Sequence, residues 1–121
     1  DLLEDETKAY LYLATVMKDG SPQVTPVWFN VEAEHILINT VEGRVKERNM
    51  RARPTVAMCI THPASLFRYL QIRGQVVEVT RTGAEEHINT LSLKYDGKPW
   101  PYRADQKRVI YKIQPRHYDQ H

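Results

Sequence analysis

Apolar and polar positions alternate along most of this chain, and that alternation marks strands before any other feature is considered. Tyr10 to Met17 (YLYLATVM) is rich in aromatic and β-branched residues and reads as a strand. Residues 18–21 carry an Asp-Gly hairpin signal, and PQVTPVWFNV at 22–31 is the returning strand. Pro26 inside that run cannot donate to a ladder, which predicts an edge or a bulge. A turn near residues 32–34 leads to a third strand, HILINT at 35–40. TVAMCIT at 55–61 reads as a buried fourth strand, with Cys59 as a small core residue. The run from Phe67 to Arg81 predicts a fifth, broken or bent at Gly74. RVIYKIQ at 108–114 is the last, followed by a polar tail.

Two stretches switch to helical spacing. Between Gly43 and Pro54, Val41, Val45, Asn49 and Ala52 form the predicted inward stripe, with Arg44, Arg48 and Arg51 on the face beside it. Thr82-Gly83-Ala84-Glu85 has the form of a capping box, and Ala84, Ile88, Leu91 and Tyr95 then recur at helical spacing up to Gly97. Residues 1–8 read as the end of a short helix. Strands in hairpin order with two inserted helices predict a single-domain, mostly antiparallel β-barrel with the helices packed outside. Neither βαβ alternation nor a Gly-rich fingerprint is present, which argues against a doubly wound dinucleotide fold.

Composition narrows the function classes. With 121 residues, 41% hydrophobic and 26% charged, the chain is an ordinary globular domain. A net charge of +2 is too small to argue for a nucleic-acid partner. Neither a signal peptide nor an apolar spanning run occurs, so no membrane partner is expected and the simplest location is the cytoplasm. The five histidines lack ligand spacing and Cys59 is the sole cysteine, which leaves no metal site. There is no nucleophile elbow, and no residue stands out as catalytic. Enzymatic chemistry in such a chain would have to come from a bound cofactor.

Charge does concentrate in one place. Arg44, Lys46, Arg48, Arg51 and Arg53 fall within ten positions, opposed there only by Glu47. Beside a helix N-terminus, such a run is either a solvated basic face or a phosphate site. The amide of Asn49 on the inward stripe calls for a hydrogen-bond partner.

The motifs taken together carry a resemblance. Asp19-Gly20-Ser21-Pro22-Gln23-Val24-Thr25-Pro26-Val27-Trp28-Phe29, Asn39-Thr40, Gly43-Arg44-x-Lys46-x-Arg48-Asn49, Pro54-x-Val56-Ala57 and Arg68-Tyr69-Leu70-Gln71-Ile72-Arg73-Gly74-Gln75-Val76 follow in order. Leu91-x3-Tyr95-x-Gly97 continues the set. In this order they resemble the pyridoxamine 5′-phosphate oxidase-like split-barrel superfamily, and within it the branch using the deazaflavin coenzyme F-420. The resemblance implies a six-stranded split barrel that forms a homodimer, with a flavin or deazaflavin held between subunits. It implies an oxidoreductase acting on a small unsaturated or quinone-like molecule. It assigns cofactor contacts to Asn39, Thr40, Arg44, Lys46 and Asn49 at the phosphate end, and to Thr25, Pro26, Val27 and Trp28 at the ring. Trp100 or Tyr102 would close the site from the partner chain. FMN, or a non-catalytic binding role, is the alternative on the same fold. The resemblance does not extend to vitamin B6 oxidation. The adjacent Arg-Lys pair of true oxidases reads Val45-Lys46 here, and their C-terminal Arg-x-His has no counterpart.

Overall fold

The computed structural model describes residues 2–120, and of Leu66 and Gln120 the backbone alone. Within that range one antiparallel sheet holds seven strands: β1 (Tyr10–Val16), β2 (Pro22–Val27), β3 (Phe29–Glu32), β4 (His35–Val41), β5 (Thr55–His62), β6 (Ser65–Thr80) and β7 (Arg108–Gln120). Helix α1 (Val45–Ala52) follows β4, and α2 (Ala84–Asp96) follows β6. A single 3-10 turn at Asp5–Thr7 takes the place of the short helix expected at the start.

The strand order β2-β1-β5-β6-β7-β4-β3 puts β2 and β3 at opposite ends of the sheet. Yet Trp28 alone separates them in the chain. The sheet therefore curls until its two edges meet at one interrupted strand, the run expected at 22–31. That interruption turns six expected strands into seven. Pro26 lies on β2, which pairs only with β1, so its missing N–H leaves no ladder bond unmade inside the sheet.

Gly74 explains the bend expected in β6. A side chain there would place Cβ 2.7 Å from the Gln114 carbonyl, and the β6–β7 register shifts between Arg73 and Gly74. β7 runs well past the predicted end at Gln114, because residues 70–73 of β6 offer a ladder to residues 117–120. The polar tail is strand because its backbone, rather than its side chains, is satisfied there.

Leu11, Leu13, Phe29, Ile36, Ile38, Ile60, Ile72, Tyr111 and Ile113 fill the barrel. Met50 of α1 closes one end of it. The inward face of α1 is not the predicted stripe: Glu47, Asn49 and Met50 are buried, whereas Val45 is half-buried and Ala52 exposed. Two polar residues go inward because the barrel mouth supplies Tyr111 and Thr15 to hold them. Cys59 is likewise displaced from its expected core position. Val56, Met58 and Ile60 take the inner face of β5, and Cys59 lies half-buried on the outer one. The capping box does not form. Gly83, at φ 76°, is the N-cap of α2, and the Thr82 N–H donates back to Thr80 Oγ1 at 3.1 Å. The predicted face of α2 does form: Ala84, Ile88 and Leu91 are buried against the sheet.

Candidate functional site

A cleft of about 750 Å³ opens where β1, the β2–β3 interruption, the start of α1, α2 and the 97–107 loop converge. One wall is aromatic. Trp28 stacks on Tyr95, centroids 5.5 Å apart and rings 6° from parallel, and meets Trp100 edge-on at 5.9 Å. The Tyr95 hydroxyl donates to the Ala9 carbonyl at 2.8 Å, which locks the stack onto β1. Tyr10 and Tyr12 extend the wall along β1.

The opposite end is basic. Arg44, Lys46, Arg103 and Arg108 line it, and among the described residues none of the four makes an ion pair. Burial pushes the pKa of Lys46 down, and the neighbouring Arg44 charge adds to that. Arg108 is lowered in the same way, by burial first, then by Arg44 and Arg103, with Glu85 opposing. The Arg44 charge bears on both Lys46 and Arg108, and among the described residues no ion pair neutralises this end, so an anion would relieve its field.

A carboxylate shares this end of α1: Glu47 Oε1 accepts the N–H of Gly43, the residue before the N-cap Arg44, at 2.9 Å. Facing the cleft are the side chains of Arg44 and Lys46.

Of the residues assigned from sequence, Pro26, Val27, Trp28, Asn39, Arg44 and Lys46 come together along this cleft. Thr25, Thr40 and Asn49 do not line it. Thr25 pairs with the core residue Leu13 and shares its inward face. Thr40 is 1% exposed inside the barrel, and both threonine hydroxyls lack a partner. Asn49 has the partners its position calls for. Its Nδ2 donates to Thr15 Oγ1 at 3.0 Å and to Met17 Sδ at 3.2 Å, tying α1 to β1. Trp100 lines the cleft of its own chain, and Tyr102 is exposed.

Sequence reasoning missed Arg103, Gln106 and Arg108, which reach the site from the far end of the chain. Nothing local marks them, since a strand-opening arginine and a polar loop are common. Among the described residues no group of three or more His, Cys, Asp or Glu could hold a metal ion, and no helix is long and apolar enough to cross a membrane.

Comparison with known proteins adds a second line. The family model described as pyridoxamine 5′-phosphate oxidase matches residues 4–121. Proteins named pyridoxine/pyridoxamine 5′-phosphate oxidase from two strains of Rhodopseudomonas palustris are each 30% identical over 115 residues. The match covers 87% of this chain and 53% of theirs, so the chain spans about half the length of those relatives. A solved structure named F-420 reductase superposes with a TM-score of 0.86 at 35% identity, over 98% of this chain and 93% of that one. The heme-storage protein HutZ of Vibrio cholerae shares the fold at a TM-score of 0.71 and 19% identity, over 96% of this chain and 88% of its own.

Proposed function

The chain belongs to the pyridoxamine 5′-phosphate oxidase family, and on that premise we propose that it is a homodimeric oxidoreductase using the deazaflavin coenzyme F-420. The observation that carries this reading is the cleft itself: an aromatic wall at one end and four unneutralised cations at the other. A planar ring joined to a phosphate-bearing tail has that same division of surface and charge. The 35% identity to a protein named F-420 reductase favours the deazaflavin over FMN.

The residues present fit such a group. Lys46 and Arg44 hold the phosphate and the anionic tail, and Trp28, with Pro26 and Val27, lines the ring. Tyr95 and Trp100 hold Trp28 in place and keep water from that wall. Bound there, the deazaflavin supplies a hydride to a small unsaturated or quinone-like molecule. The protein contributes position and electrostatics. Tyr12 borders both this cleft and an apolar hollow on the outer face of the sheet, so a dimer built on that face would adjoin the site.

The test is the colour of the purified protein followed by titration. A colourless protein that binds added F-420 in the micromolar range or tighter, and oxidises its reduced form with a quinone, supports the reading. A yellow protein with a flavin spectrum replaces F-420 by FMN. Failure to bind either cofactor overturns the reading.

A further inference from the structure

At the basic end of the cleft, four side chains form a chain of hydrogen bonds that begins at residues outside its lining. Asn39 stands at its centre. Its Nδ2 donates to the Ala84 carbonyl at 2.8 Å and lies 3.1 Å from His87 Nδ1. Its Oδ1 accepts from Arg108 Nη1 at 3.3 Å. His87 Nε2 lies 2.6 Å from Asn30 Oδ1. One proton arrangement fits every contact: His87 carries hydrogen on Nε2 and donates to Asn30, while its bare Nδ1 accepts from Asn39. Burial supports the neutral ring, pushing the His87 pKa down to about 4, with Glu32 on β3 as the opposing charge. The Asn39 amide is thereby fixed from behind. Reversed, it would turn its N–H groups toward a guanidinium and its carbonyl toward Ala84.

Arg108 receives what that arrangement provides. It is 7% exposed. Its Nη atoms are occupied by two neutral oxygens, Asn39 Oδ1 and Gln106 Oε1, the latter at 3.2 Å. Its guanidinium lies 5.0 Å over the Trp100 ring, and the backbone N–H of Trp100 donates to Asn89 Oδ1 at 2.8 Å. Its Nε is buried without a partner. A buried guanidinium held in orientation by neutral groups keeps its full charge, and here its Nε–H is still a donor for something else. Nothing in a purely structural role calls for that combination, since a carboxylate in place of the Gln106 amide would neutralise the arginine and keep the hydrogen bond it accepts.

Resting on the cofactor reading above, we propose that Arg108 binds an anionic oxygen of the ligand in the cleft, with Asn39 and His87 as its positioning residues. His87 does not line the cleft, so its influence on binding runs through Asn39 and Arg108 alone.

The experiment compares Arg108→Gln, Arg108→Lys, His87→Leu and His87→Asn with wild type by F-420 fluorescence titration. The same proteins are followed by NMR at the Arg108 Nε–H. Loss of the charge-assisted contact in Arg108→Gln weakens F-420 roughly ten- to hundredfold. Arg108→Lys recovers only part of this, because an ammonium lacks the fork. His87→Leu weakens binding about tenfold and speeds exchange of the Arg108 Nε–H. His87→Asn, which keeps an acceptor where Nδ1 stood, restores both readouts. A His87→Leu protein with unchanged exchange and unchanged affinity overturns the positioning role, whatever its melting temperature. If wild type binds neither F-420 nor FMN, the cofactor reading fails separately, and inorganic pyrophosphate becomes the probe. A shift of the Arg108 Nε–H on pyrophosphate addition then upholds the anion contact, and the lack of one overturns it.

Discussion

The Tyr111 hydroxyl donates to the Glu47 carboxylate at 2.5 Å, at a place in the barrel mouth where Glu47 has no exposure to solvent. The same carboxylate takes the Gly43 N–H and the Arg51 guanidinium. Burial pushes the Glu47 pKa up, but the hydrogen bonds from Tyr111, Gly43 and Arg51 outweigh it and hold the group below its ordinary value. Its contribution to stability is therefore present above the ordinary carboxylate pKa and is lost as pH falls through the lowered one. Tyr111→Phe leaves a buried charge short of a donor. It is expected to destabilise the fold by about 1.5–3 kcal/mol. Urea unfolding at neutral pH measures this, and an unchanged midpoint would contradict it.

Lys46→Ala removes the half-buried charge in the first turn of α1 and is expected to weaken F-420 binding roughly ten- to hundredfold. Arg44→Ala should have a smaller effect. Arg48→Ala, exposed and away from the cleft, is the control. Arg53 would be a poor control, because its guanidinium holds the Val16 carbonyl at 2.7 Å and Asn49 Oδ1 at 3.2 Å. Wild-type binding should weaken with added salt, as partly exposed charges are screened. Equal small losses in all three variants, read by fluorescence titration, would make the basic run a diffuse surface.

Acid should act through His87. Its folded pKa of about 4 lies below the ordinary 6.5, so between those values the unfolded chain takes up the proton first. Stability contributed by the neutral ring is complete above pH 6.5 and falls as pH drops toward 4. The loss is on the order of 2–3 kcal/mol across that window. His87→Leu has no such group to protonate. Denaturant midpoints at pH 7 and pH 4.5 should therefore fall more steeply for wild type than for the variant, and parallel falls would refute the assignment.

Sedimentation at micromolar concentration should give a dimer. Val24 at 61% and Tyr118 at 57% exposure flank the hollow on the outer face of the sheet, beside Tyr12. A stable homodimer of this kind buries on the order of 2,000 Å² or more. Val24→Asp is expected to shift the population toward monomer without unfolding it, and a wild-type monomer would remove the inter-subunit site.

No pyridoxal phosphate is expected from pyridoxamine phosphate and added FMN. Val45 stands where true oxidases carry the arginine of an Arg-Lys pair, and the chain spans about half the length of the curated oxidases it matches. Product detected by absorbance or chromatography would overturn this.

The barrel was legible in the sequence because strand alternation and hairpin turns are local. Tyr10–Val16, His35–Val41 and the face of α2 follow directly from side-chain periodicity. Asn39 and Lys46 sit on elements whose identity the pattern determines, but the assignment of these two, with Trp28 and Arg44, to a cofactor came from the family resemblance. What needed the tertiary structure were relations between distant segments. The tail at residues 115–120 becomes strand only because β6 lies alongside it, which its polar side chains do not disclose. Glu47 reads as a surface charge until Tyr111, far along the chain, meets it inside the barrel. Arg108 is one arginine among many until closure of the sheet sets it beside Asn39 and Trp100, buried and, among the described residues, without an ion pair. Burial and hydrogen-bond partnership are properties of the folded neighbourhood, and periodicity along the chain reports only which side of an element a residue takes.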